Sequence, residues 1–264
     1  MDFILIRHAR PAMTAGLCYG RTDLPLDAPM DPDPSAIAEK LSAHPPQRLQ
    51  ASPLQRSRLT AQAIQQVAEL PALEIDAQLM ELDFGAWEGR QWDDIPRTQV
   101  DRWARDLVHG NPHGGESAAD LLARVTTWAE SMAASPVPCL WAVTHAGCMR
   151  ALAAHWLQRP LAETLQWPLQ WGGACGFRVH PGQPDALPIL LFVMALIVNY
   201  GTVAAWRVRE HSVARLSAWE TRWPRTGATD QRPCGSSQSL VAAAKRSAST
   251  GATSVTTDPR AWAT

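Results

Sequence analysis

Lysine is almost missing from this chain. Of its 24 basic residues only Lys40 and Lys245 are not arginine, so any anion site must be built mainly from guanidinium groups. A GC-rich genome accounts for such usage equally well. Neither sign of charge is in excess: 24 basic residues stand against 25 acidic ones, and the formal net charge of −1 excludes the overall basic field that recruits nucleic acid. No C-x-x-C pair occurs. The five cysteines, Cys18, Cys139, Cys148, Cys175 and Cys234, are odd in number, which argues against a closed disulfide set. Cys139 adjoins an apolar run and reads as a small buried hydrophobe. The first apolar run, Phe3–Ile6, is too short for a signal peptide, so a cytoplasmic protein is expected. With 46% hydrophobic and 19% charged residues, a disordered or collagen-like chain is excluded.

The 264 residues exceed the usual single-domain size and are uneven along their length. Residues 1–180 carry a net charge of −5 and residues 181–264 a net charge of +4. In the first part, Phe3–Ile6, Arg48–Ala51 and Cys139–Val143 read as strands, with a further strand at Ala174–His180. Between them lie helical spacings: Leu59, Ala63, Val67 and Leu70; then Val100, Trp103 and Leu107; then Leu121, Val125, Trp128 and Met132. Ser117-x-x-Asp120 resembles a capping box for the last of these, and Met149–Leu157 predicts a helix after the Cys139 strand. Alternating strands and helices imply an α/β layered sheet with its site at the carboxyl ends of the strands.

Chemistry-bearing residues fall at those ends. Arg7-His8 ends the first strand, Ser52-Pro53-Leu54-Gln55-Arg56 follows the second, and Thr144-His145-Ala146-Gly147 follows the third. Glu81 opens the stretch Glu81-Leu82-Asp83-Phe84-Gly85-Ala86-Trp87-Glu88-Gly89. Arginine forks suit phosphate oxygens, and a helix starting near Ala146 offers backbone N–H groups to the same anion. A neutral imidazole among those cations can attack phosphorus, and a carboxyl group can protonate the leaving oxygen and later deprotonate water. Together the set describes phosphoryl transfer through phosphohistidine without a metal.

These motifs resemble the histidine phosphatase superfamily, in its phosphoglycerate mutase-like branch, over roughly residues 3–180. The resemblance implies a three-layer α/β/α sandwich with a mostly parallel central sheet. It implies His8 as nucleophile, Arg7, Arg56 and His145 as phosphoryl-binding groups, and Glu81 as general acid and base. Ala9 stands where the family has glycine, which is acceptable wherever the backbone φ is negative. Arg10 replaces the family's acidic residue and, with Pro11, is expected to alter the pocket rim. The asparagine that phosphoglycerate mutases carry after the signature is not visible. The segment Cys18-Tyr19-Gly20-Arg21-Thr22-Asp23-Leu24-Pro25-Leu26 is similar to the alpha-ribazole phosphatases of cobalamin biosynthesis. That likeness implies alpha-ribazole 5′-phosphate or an adenosylcobalamin 5′-phosphate precursor as substrate, with Tyr19, Gly20 and Arg21 on the substrate side. The alternatives are a broad-specificity phosphatase or phosphosugar mutase, or an inactive phosphate-binding regulatory module.

No cofactor and no metal are expected. His109 and His113 have H-x-x-x-H spacing, but no third ligand is evident, and they read as a flexible loop over the pocket. Trp87, Trp92 and Trp103 read as core, and Glu116 as a helix-entry residue. The expected division is a catalytic domain at 1–182 and a tail at 183–264. The tail opens with 21 uncharged residues, Ala186–Trp206, long enough to span a bilayer of about 30 Å. A membrane anchor is the weaker reading. A buried final element followed by disorder is another, and an out-of-frame or accessory tail is the leading one.

Overall fold

Side chains along a strand alternate between faces, and the first strand shows how this organises the molecule. In the computed structural model, which describes residues 1–13, 15–183, 186–194 and 206–207, strand β1 spans Asp2–Arg7. Phe3 and Leu5 enter one hydrophobic cluster with Trp128, Leu140, Ala142 and Trp156. Ile4 and Ile6 enter another, on the opposite face, with Ile37, Ile64, Trp141 and Val143. Helices α4 (Ala118–Ala134) and α5 (Ala146–Trp156) cover the first face. Helices α1 (Pro34–Lys40) and α2 (Gln55–Ala68) cover the second. The expected three-layer α/β/α sandwich is the fold observed.

The sheet adds β2 (Arg48–Ala51), β3 (Leu73–Ile75), β4 (Cys139–Thr144), β5 (Ala174–Arg178), β6 (Ile189–Met194) and β7 (Trp206–Arg207). Their order is β3-β2-β4-β1-β5-β6-β7 among the described residues. The first four are mutually parallel, and β5, β6 and β7 extend the sheet by antiparallel pairing. The strand expected at Ala174–His180 forms as β5, over Ala174–Arg178, and is not the last of the sheet. Its apolar successor Ile189–Met194 folds back onto it, as short connections between antiparallel strands allow. The expected boundary at 182–183 falls in the turn between these two strands. Of the uncharged stretch 186–206, residues 195–205 lie outside the described residues. No helix among the described residues is long and apolar enough to cross a membrane.

Helices follow the predicted spacings with two differences. The capping box forms as expected: the Ser117 side chain accepts from the Asp120 N–H, and the Asp120 carboxylate accepts from the Ser117 N–H. Val100 and Trp103 are buried on α3 (Arg97–Arg105), whereas Leu107 lies beyond its end. On α2, however, the buried face is Ser57, Thr60, Ala61 and Ile64, and Val67 is 49% exposed. The Ser57 hydroxyl donates to the Val143 carbonyl at 2.6 Å, and the Thr60 hydroxyl accepts from the Ala9 N–H at 3.0 Å. Those polar anchors rotate the helix away from the face its hydrophobic spacing suggests. The loop holding His113 also differs. That imidazole is buried against Phe84, Trp87 and Trp103, with ring centroids 5.0–6.2 Å apart, so it belongs to the aromatic core and not to a flexible cover.

The corrected face of α2 has a measurable consequence. Ile64→Ala should cost about 2–4 kcal/mol in urea unfolding, while Val67→Ala should stay within about 0.5 kcal/mol. Equal costs would restore the face read from the sequence.

Candidate active site

Three parallel strands deliver the site from their carboxyl ends. Arg7 is the last residue of β1 and His8 the next; Ser52 and Arg56 follow β2; His145 follows β4. All are buried, as is Glu81. The backbone at His8 is pinned on both sides. Its N–H donates to the Thr144 carbonyl at 3.0 Å, and the Gly172 N–H donates to the Arg7 and His8 carbonyls at 3.1 Å. Ala9 keeps a negative φ, so alanine is tolerated where the family has glycine.

The partners of His8 set its tautomer. Nδ1 lies 2.7 Å from the Ala9 carbonyl, which only accepts, and Arg56 Nε donates to Nε2 at 3.3 Å. The proton is therefore on Nδ1 and the lone pair on Nε2. Burial first, then the Arg56 and Arg7 charges, hold this imidazole well below the usual histidine range, so it is neutral at pH 7. Burial and the Arg56 charge do the same to His145, whose ring centroid lies 5.0 Å from that of His8. His145 Nε2 meets the Ser52 hydroxyl at 2.9 Å, while its buried Nδ1 has no hydrogen-bond partner among the described residues.

Both arginines are held by main-chain carbonyls and aromatic faces. Arg7 Nη1 donates to Leu169 O at 2.7 Å, with the Trp171 ring 5.6 Å from its guanidinium carbon. Arg56 Nη1 donates to Thr22 O at 2.7 Å and Nη2 to Gly20 O at 2.5 Å, with the Tyr19 ring at 5.1 Å. Glu81 accepts from the Leu82 N–H at 2.9 Å and from the Gly147 N–H at 3.0 Å. Burial nonetheless raises its pKa, against those bonds and the two arginines. The first turn of α5 thus gives the Gly147 N–H to Glu81, where the sequence suggested an anion ligand, because a buried carboxyl needs donors of its own.

The predicted residues Arg7, His8, Arg56, Glu81 and His145 come together; those of the 19–21 segment divide. Tyr19 stands on Arg56. Arg21 pairs with Glu116 at 3.3 Å and Asp83 at 3.7 Å, bracing the chain just after Glu81. Arg10 pairs with Asp27 at 3.0 Å and Asp31 at 3.4 Å, partly exposed. Three contributors escaped the sequence reading. Arg124 donates to the carbonyls of Gln78 and Met80 and pairs with Glu116, so these two clamp the segment carrying Glu81. An arginine beside the apolar stripe of α4 was the available signal. Glu88, seen only as a neighbour of Glu81, gathers the 20–22 loop. Among the described residues no group of three His, Cys, Asp or Glu side chains is placed to hold a metal ion.

The profile of the histidine phosphatase superfamily, branch 1, matches residues 3–188. The chain belongs to this superfamily. This histidine phosphatase is 29% identical to the glucosyl-3-phosphoglycerate phosphatase of Mycolicibacterium vanbaalenii over 209 residues, 69% of this chain and 88% of the relative. To the adenosylcobalamin/alpha-ribazole phosphatase of Salmonella typhimurium it is 28% identical over 177 residues, 65% and 87% of the two chains. The fold matches the native structure of a mycobacterial glucosyl-3-phosphoglycerate phosphatase (TM-score 0.62, 24% identity, 72% of this chain and 96% of that one). It also matches a putative alpha-ribazole-5′-P phosphatase from Escherichia coli (TM-score 0.62, 22% identity, 72% and 94%).

Two buried neutral histidines make the histidine phosphatase sensitive to acid. Unfolding frees each imidazole to bind a proton below its ordinary pKa near 6.5, whereas the folded form does so only at much lower pH. The unfolded state then holds more protons, so stability falls as pH drops below that value, by up to about 1.4 kcal/mol per unit for each histidine. Glu81, with its raised pKa, opposes part of this below neutrality. Urea unfolding between pH 7.5 and 5.5 should show the decline, and His8→Asn should remove one histidine's share. A flat profile for the native sequence would refute the neutral pair.

Proposed function

We propose that this histidine phosphatase hydrolyses phosphomonoesters through a phosphohistidine on His8, without a metal. The observation that carries the proposal is the His8 tautomer: a neutral imidazole whose Nε2 lone pair faces the Arg56 guanidinium. In this scheme the phosphoryl group sits between Arg7, Arg56 and the open Nδ1 of His145, and the arginines balance the charge on its oxygens. Nε2 attacks phosphorus, the ester P–O bond breaks, and the leaving oxygen takes the proton of Glu81. Water then attacks phosphorus and gives a proton to Glu81. The N–P bond breaks, and inorganic phosphate leaves with His8 restored. The raised pKa of Glu81 supports its protonated starting form. Every group in the scheme lies within residues 1–182.

For the substrate, the reading is the 5′-phosphate of alpha-ribazole or of an adenosylcobalamin precursor. The Cys18–Leu26 segment and the Salmonella relative support it. Glucosyl-3-phosphoglycerate is the second reading, supported by the Mycolicibacterium relative at a similar identity. A cytoplasmic setting is consistent with the free, buried thiols of Cys18, Cys139, Cys148 and Cys175.

The full chain should be assayed with EDTA on alpha-ribazole phosphate, glucosyl-3-phosphoglycerate, 3-phosphoglycerate and an aryl phosphate. His8→Ala should lower kcat by about 10⁴-fold or more on every substrate. Activity that persists in His8→Ala or disappears with EDTA overturns the mechanism; equal rates throughout remove the cobalamin assignment alone. Glu81→Gln should cost about 10²–10³-fold on alkyl phosphates and far less on p-nitrophenyl phosphate, whose leaving group needs no proton.

A further inference from the structure

The Glu88 carboxylate collects more donors than any other acid near the site. It accepts from the backbone N–H groups of Gly20 (3.0 Å), Arg21 (2.8 Å), Thr22 (3.0 Å) and Phe84 (2.9 Å), and from the Thr22 hydroxyl. One of these bonds continues toward the nucleophile. The Arg21 N–H and the Gly20 carbonyl belong to the same peptide unit, and a trans peptide points them in opposite directions. Glu88 holds the N–H side; the carbonyl side receives Arg56 Nη2. Arg56 Nε in turn donates to His8 Nε2. An unbroken line of hydrogen bonds therefore runs from Glu88 through the Gly20–Arg21 peptide and the Arg56 guanidinium to the imidazole nitrogen. Such chains polarise each member. The peptide cannot retreat, because it is pressed on the segment after Glu81: a Cβ at Gly20 would stand 1.8 Å from the Leu82 carbonyl oxygen. At the α2 end, the Asp23 carboxylate ties the same loop to the Gln55 N–H at 2.6 Å.

We propose that Glu88 is a positioning residue of the phosphoryl site, fixing the Arg56 guanidinium over His8 through the Gly20–Arg21 peptide. This rests on the reading of His8 as the nucleophile. Burial alone would raise the Glu88 carboxyl, but its bonds from Gly20, Thr22, Phe84 and Arg21 outweigh that and keep it ionised. Glutamine in its place offers one acceptor oxygen and an NH₂ group facing N–H donors, so the loop must shift and carry Arg56 with it. The charged and titratable groups around His8 are Arg56, Arg7 and His145, with Glu81 and Tyr19 beside the arginines. Moving Arg56 away thus has a signature on His8 itself.

The test compares the full-length native sequence with Glu88→Gln, Glu88→Asp and Thr22→Val, reading the His8 titration by imidazole NMR and turnover of an aryl phosphate. In Glu88→Gln the His8 pKa should rise by about one unit and kcat/KM should fall by about 100-fold. Glu88→Asp, which keeps the charge, should recover part of both. Should Glu88→Gln not fold, Thr22→Val, which removes one donor and leaves the carboxylate, should move both readings the same way by less. A folded variant that is merely less stable, with the His8 titration unmoved and kcat within about twofold, overturns the proposal. An active His8→Ala would instead overturn the nucleophile assignment, and the NMR titration still reports on the positioning line by itself.

Discussion

Everything around the site depends on one constraint: two guanidinium groups are buried beside an imidazole that must stay neutral. Removing a cation from water is costly, and burial is the largest influence on both guanidinium groups. The molecule offsets this chiefly with carbonyl dipoles aimed at their N–H groups, from Leu169 for Arg7 and from Gly20 and Thr22 for Arg56. The faces of Trp171 and Tyr19 complete the shells. Both loops that supply those carbonyls are therefore structural necessities of the cradle, whatever substrate they also meet. Burial and the same charges keep the imidazole unprotonated, so the groups that would suit an anion also leave the ring nitrogen its lone pair.

The near-absence of lysine acquires a physical meaning here. Arg56 directs three separate nitrogens to three partners, Thr22, Gly20 and His8, in a fixed fork. An ammonium on a flexible stem could not hold that geometry. Arg124 repeats the pattern at Glu81, spanning the Gln78 and Met80 carbonyls and the Glu116 carboxylate. In both places an arginine on a helix fastens irregular chain to the layers that cover the sheet.

Strands and the residues at their ends were legible because burial and periodicity speak directly there. Phe3–Ile6 and Cys139–Val143 are apolar on both faces, and the residues just past their carboxyl ends are polar by contrast. The buried side of α2 was not legible, since it carries Ser57 and Thr60 in hydrogen bonds that hydrophobic spacing cannot register. Glu88, Arg124 and Glu116 escaped for a related reason. Their partners are main-chain groups or residues distant in sequence, and a backbone N–H has no letter of its own. Arg21 was expected on the substrate side, and its ion pairs to Asp83 and Glu116 were not legible because both partners are distant in sequence. The extension of the sheet by β6 was hidden because an apolar run of that length fits a strand, a core helix or a membrane segment alike.

The bond between His8 Nδ1 and the Ala9 carbonyl carries a last consequence. It decides which of two chemically similar nitrogens is available, and its acceptor is an atom that every amino acid at position 9 possesses. The regiochemistry of any adduct formed on this ring is therefore written in the main chain. Drift at that position can alter shape or rate, but it cannot delete the acceptor, so the choice of nitrogen is buffered against mutation in a way that a side-chain partner could never be.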